Sequence, residues 1–197
     1  MKTPRPYQMT ARADAVATTK ERIVEAATAL FLEHAYEDVT LAAIASASGV
    51  SHQTVLNHFE SKEGVVLGVA EALKGRTTTA RHAATPGDVA GAVRALVGEY
   101  EWMGDANVRW AVSADRFEGL GAILDDARAG HQAWLEAMFG DQMPATPAAR
   151  RRAVLALHAA TDVYTWKLLR RDLGLSRRET EKTIADLVVG ILEGTHR

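Results

Sequence analysis

Apolar residues in this chain recur at helical intervals almost throughout, and nowhere do they alternate at strand spacing over a sustained run. That pattern points to an all-α fold. The helix starts are marked by side chains able to satisfy the orphaned amides of a first turn. Thr18 with Glu21, and Ser176 with Glu179, read as capping boxes. Thr85-Pro86 and Thr146-Pro147 each set a hydroxyl before a proline, and Thr40, Ser51 and Ser61 are further caps. Together these signals predict helices over about 18–34, 40–47, 51–58, 61–82, 88–103, 107–116, 119–139, 147–172 and 176–193.

The two short helices carry the most information. Thr40 to Ala47, then Ser48-Gly49-Val50, then Ser51 to His58, is a helix, a three-residue turn and a second helix. Gly49 falls where the first must end, in a left-handed conformation that other residues avoid. Leu41, Ile44, Ala45, Val50, Val55 and Phe59 supply apolar contacts to lock the pair together. This is the helix-turn-helix pattern, whose second helix lies in the DNA major groove with its leading residues toward the base edges. The polar residues of that helix suit the task. Gln53 and Asn57 carry amides that can pair with adenine, while His52, Thr54 and His58 can bond bases or phosphate oxygens. The helix starts at Thr40 and Ser51 aim amides and a positive dipole end at phosphate.

Charge qualifies this reading. The net charge of −2 argues against indiscriminate coating of nucleic acid. Residues 1–22 nevertheless carry Lys2, Arg5, Arg12, Lys20 and Arg22 against Asp14 and Glu21. Between 40 and 66 the sole lysine or arginine is Lys62. Phosphate attraction must then come largely from helix ends and from a flexible basic arm over residues 1–17, with Arg5 or Arg12 reaching a minor groove.

Three segments, TKERIVEAATALF at 19–31, VTLAAIASASGVSHQTV at 39–55 and HFESKE at 58–63, stand together between Thr19 and Val66. On these segments the stretch resembles the DNA-binding domain of TetR/AcrR-family transcriptional regulators. The resemblance implies a helix-turn-helix DNA-binding domain over 18–66 and a helical ligand-binding and dimerisation domain over 67–197. It also implies that Thr40, His58 and Lys62 hold phosphate, that His52, Gln53 and Thr54 face bases, and that Asn57 serves either purpose. Leu56 departs from the family pattern, which usually has an aromatic there, most often tyrosine, whose hydroxyl meets the DNA backbone. Its loss should weaken binding modestly, or leave Leu56 to touch a thymine methyl.

Eight of the aromatic residues, including all four tryptophans, lie between 100 and 166. Among them Tyr100, Trp102, Trp110, Phe117, Trp134 and Trp166 could line a cavity for an apolar or aromatic ligand, with Arg109, Asp115, Arg116, His131 or Asp162 as polar contacts; equally, they could fill a helical core. The helices from 147 and 176 carry more apolar residues than one buried stripe needs, so a homodimer through these last two helices is expected. Arg150 to Arg152 read as a solvated face, and Lys167, Arg170 and Arg171 as cations at a helix C-terminus.

The expected function is a ligand-responsive repressor, released from a palindromic double-stranded operator by a small-molecule effector, with the helix at 61–82 as the lever. The alternative is an all-helical binding protein or enzyme that has lost DNA recognition. There is no cysteine, and no Walker loop, HExxH, GxSxG or zinc-ligand spacing, so no enzyme activity, metal or cofactor is expected. Lacking a membrane-spanning run or a signal peptide, the chain is expected in the cytoplasm with no membrane partner.

Overall fold

The computed structural model describes residues 7–114 and 119–194, and every regular element among them is helical. The chain divides into two compact units between Ala72 and Leu73. The first holds α1 (Tyr7–Glu33), α2 (Leu41–Ser48), α3 (His52–Phe59) and the start of α4 (Lys62–His82). The second holds the rest of α4, then α5 (Val89–Ser113), α6 (Leu120–Phe139), α7 (Pro147–Thr161), α8 (Val163–Lys167) and α9 (Arg177–Gly194). No helix among the described residues is long and apolar enough to cross a membrane.

In the first unit α1 packs on α2, and α2 on α3. Ile23, Ala27 and Phe31 from α1, Ile44 and Ala45 from α2, and Val55 and Phe59 from α3 are buried together with Val65, Val66 and Val69 of α4. The entry to α1 differs from expectation. The helix starts at Tyr7, and Thr18 caps nothing: its hydroxyl bonds back to the Asp14 carbonyl at 2.9 Å, as Thr19 does to Ala15 at 2.8 Å. A hydroxyl inside a helix satisfies itself on the preceding turn, so the sequence signature of a capping box arises here without a helix start. Residues 7–17, expected as an arm, are therefore helical. Residues 1–6, with Lys2 and Arg5, lie outside the described residues, as does the Arg12 side chain.

In the second unit α5 is the central element, packed against α6, α8 and α9. Glycine at 104 makes this possible: a Cβ there would sit 2.5 Å from the ring of fully buried Trp166. The stretch around Gly104 was expected to be a joint between two helices, but the glycine serves close packing and α5 runs unbroken. Its cap is Asp88, accepting from the Gly91 amide at 2.9 Å, and not Thr85. The opposite happens over 147–172. That segment breaks at Asp162, which is extended and caps the Tyr164 amide at 2.8 Å, and α8 then passes into a π-helical turn over Leu168–Asp172. Ser176 and Glu179 form the expected capping box, each accepting from the other's amide.

Candidate nucleic-acid interface

The turn between α2 and α3 is closed as its residues demand. Gly49 adopts φ 66°, and the Val50 amide donates to the Ala45 carbonyl at 3.0 Å. Arg22 of α1 reaches across to donate to the Ser48 carbonyl, so one guanidinium ties the first helix to the end of α2. Thr40 and Ser51 each cap their helix, accepting from Ala43 at 3.1 Å and Thr54 at 3.0 Å.

Val55 and Phe59 turn one side of α3 into the core. At about 3.6 residues per turn, the positions nearly opposite that seam are Gln53 and Asn57. Both are exposed, and the Gln53 Nε2 donates to the Asn57 Oδ1 at 3.0 Å. His52 and Leu56 flank them on one side, the first exposed and the second half-buried; Thr54 and His58, both half-buried, flank them on the other. The Thr54 hydroxyl is engaged with Ser51 at 2.8 Å. The outward face of α3 therefore centres on two amides and carries neither lysine nor arginine.

Beyond α3 the chain is tightly bent. Glu60 sits at φ 63°, ψ −40°, and the Ser61 amide donates to the Phe59 carbonyl at 2.6 Å, a γ-turn of the strained hand. The Phe59 carbonyl then presses onto Gly64, where a Cβ would lie 1.9 Å from its oxygen. Lys62, given to phosphate by the resemblance, is placed elsewhere. Its ammonium donates to the Tyr36 carbonyl and lies 4.0 Å from the centre of the Tyr36 ring. Loss of hydration there holds its pKa below the ordinary lysine value, against the upward pull of Glu63, Glu37 and Asp38. The Tyr36 hydroxyl donates to Glu63 at 3.2 Å; burial and that carboxylate push its pKa up to about 12. Tyr36 also stacks on Phe31, with ring centres 6.0 Å apart. Sequence reasoning missed Arg22 and Tyr36, because each acts on a residue more than twenty positions away.

The residues singled out in the second unit are mostly packed rather than arrayed around a void. Tyr100, Trp110, Trp134 and Trp166 are buried, while Trp102 lies under Arg76, whose guanidinium is 3.8 Å from its ring centre. Arg109 is half-buried, and Phe117, Asp115 and Arg116 fall outside the described residues. The structure does bring His131 and Asp162 into one cluster, through residues the sequence did not flag. Arg81 and Glu99 form a bidentate pair at 2.8 and 2.9 Å, both largely out of solvent. Arg81 also meets the His131 Nδ1 at 3.0 Å, and the His131 Nε2 meets the Thr161 hydroxyl at 2.8 Å, which donates onward to the Leu157 carbonyl at 2.7 Å.

A guanidinium has no acceptor, so Nδ1 must accept and Nε2 must carry the proton. His131 is thereby fixed as one neutral tautomer, and its pKa falls to about 3, through burial first and the charges of Arg81 and His158 next. His158 lies edge-on to it at 5.0 Å and reaches Asp162 at 3.3 Å. Burial pushes the Asp162 carboxyl up, but bonds from His158 and the Tyr164 amide outweigh this and hold it below the usual carboxylate range. Arg170 and Arg171, expected to face a helix end, instead pair with Glu101 at 2.8 Å and Asp105 at 3.0 Å on α5.

A capped helix-turn-helix with an outward, hydrogen-bonding second helix is the arrangement that helix-turn-helix DNA-binding proteins use. Residues 23–69 match the sequence model of the bacterial regulatory proteins of the tetR family. Solved structures share the fold over nearly the whole chain. A tetR-family transcriptional regulator from Streptomyces coelicolor superposes with a TM-score of 0.76 at 14% identity, covering 91% of this chain and 82% of that one. A transcriptional regulator from Rhodococcus sp. Rha1 gives 0.73 at 20% identity, covering 89% and 96%. A TetR transcription regulator from Haloarcula marismortui gives 0.69 at 17% identity, covering 90% and 98%. No curated protein matches the chain. Residues 23–69 are thus similar to the tetR family of bacterial regulatory proteins, and the chain as a whole shares the helical fold of these solved structures.

Proposed function

We propose that this chain is a ligand-responsive repressor that binds a palindromic operator as a homodimer and is released by a small-molecule effector held in its second unit. The observation that carries the DNA-binding part is the outward face of α3, where His52, Gln53 and Asn57 are exposed and the only side-chain bond among them is the one joining the two amides. Thr40, Ser51, Thr54 and His58 are the phosphate and flanking contacts around it, and Lys62 joins them only by leaving Tyr36.

A second copy is the natural cover for the apolar residues that α7 to α9 leave exposed. Leu155 of α7 and Leu187 of α9 are 50% and 44% exposed, Tyr164 and Val189 are exposed on α8 and α9, and exposed Leu168 opens the π-helical turn after α8. The effector reading rests on the buried polar cluster of Arg81, Glu99, His131, His158 and Asp162. Burying such groups is costly except as their mutual pairing offsets it, which makes the cluster the polar feature of this unit that an effector could engage, and an effector acts only by binding one subunit arrangement better than another.

Selection from random duplexes with the full chain, together with sedimentation analysis, tests the reading. Enrichment of a twofold-symmetric site by a dimer supports it. A monomer that enriches nothing at low salt refutes it and favours a binding protein that has lost DNA recognition. Compounds that raise the melting temperature then identify the effector.

A further inference from the structure

We infer that the reading helix selects an A·T pair in each half-site, with Gln53 as the residue that determines it and Asn57 as its positioning partner. The inference rests on the DNA-binding reading and gives it a sequence class. Gln53 stands at the middle of the outward face of α3, and its Nε2 spends one hydrogen on the Asn57 Oδ1 at 3.0 Å. The Oε1 and the second Nε2 hydrogen stay available, side by side on the amide plane. Adenine presents the complementary edge in the major groove: its N6 amino group donates to Oε1, and its N7 accepts from Nε2.

Guanine shows two acceptors, O6 and N7, so the Gln53 carbonyl would face O6 with no proton between them. Rotating the amide to serve guanine would break the bond to Asn57. The usual readers of guanine are Arg and Lys, and residues 51–59 contain neither. Leu56, half-buried beside the amide pair, offers methyl groups where thymine carries its own. Asn57 keeps its Nδ2 hydrogens for a neighbouring base or phosphate, so the two amides act as one preorganised unit.

The test is selection from random duplexes with the full chain and with Gln53→Ala, Gln53→Arg and Asn57→Ala variants, each checked for an unchanged helical spectrum and melting temperature. The wild type is expected to enrich half-sites with A·T at one position whose preference vanishes in Gln53→Ala and turns to G·C in Gln53→Arg. Replacing that adenine by 7-deaza-adenine in the selected site should weaken wild-type binding roughly ten-fold, and should not weaken Gln53→Ala further. Asn57→Ala should blur the preference at the same position. An enriched site whose Gln53-dependent position is G·C overturns the inference while leaving the regulator reading intact. Absence of any enriched sequence overturns both.

Discussion

The outward face of α3 and the interior of the second unit both hold polar side chains, but they spend them in opposite ways. On α3, Gln53 and Asn57 stand in water with bonding capacity to spare. Around His131 the groups are buried and committed, from the Glu99 carboxylate through Arg81 and His131 to the Thr161 hydroxyl and the Leu157 carbonyl. A polar group held for a partner costs the fold little, whereas one enclosed by the fold becomes part of its stability. The contrast predicts where substitutions will hurt.

The largest effect should come from Glu99→Ala. It leaves the Arg81 guanidinium buried without its carboxylate, and breaking such a pair costs about 3–5 kcal/mol. Denaturant titration measures it. Gln53→Ala on the same scale should stay within about 0.5 kcal/mol of the wild type while losing operator preference. Equal losses at the two sites would erase the distinction.

Acid should act on the same cluster. His131 titrates at about 3 when folded and at 6.5 otherwise, so the unfolded chain binds the extra proton between those values. The stability contribution is complete above about 6.5 and is lost as pH falls toward 3, at up to about 1.4 kcal/mol per pH unit. The physical reason is burial of the ring first, and next that a protonated Nδ1 would point a hydrogen at Arg81. Unfolding free energies measured from pH 7 to 4 should show this slope, and His131→Gln, which cannot take up the proton, should flatten it.

A smaller effect separates two roles for Lys62. Docked on the Tyr36 carbonyl and ring, it clips the start of α4 to the turn after α1. Lys62→Met should lower stability by about 1 kcal/mol. It should leave the salt dependence of DNA binding nearly unchanged, since a true phosphate contact would take about one unit off the slope. Binding measured between low and moderate salt distinguishes the clip from the contact.

What could be read from the sequence follows the reach of each interaction. Gly49, Thr40, Ser51 and the Ser176–Glu179 box act within a few residues, and each does in the fold what its spacing announces. Thr18 misled because a hydroxyl four residues past a carbonyl is equally content inside a helix. Gly104 looked like a joint because Trp166, which needs its missing side chain, lies far along the chain. The Arg81–His131–Thr161 chain joins α4, α6 and α7, and no local pattern encodes it. The aromatic residues gave composition without geometry, and composition alone does not distinguish a packed ring from one lining a cavity.

The least effect, and the finest probe of the reading unit, lies at Glu60. Its positive φ and the Ser61-to-Phe59 bond make a γ-turn that a residue with a Cβ adopts only under strain. Glycine would relieve that strain but would also free the unfolded chain, which offsets roughly 0.5–1 kcal/mol of the gain. Glu60→Gly should therefore stabilise by at most about 1 kcal/mol. The strain persists because the Phe59 carbonyl is pinned against Gly64, where even a methyl group would collide. Gly64→Ala should consequently be worse tolerated than Glu60→Gly is beneficial, and melting temperatures of the two variants decide it. If Glu60→Gly instead destabilises, the glutamate is holding the end of α3 through something other than its backbone, and the bend is not the strained element it is taken to be.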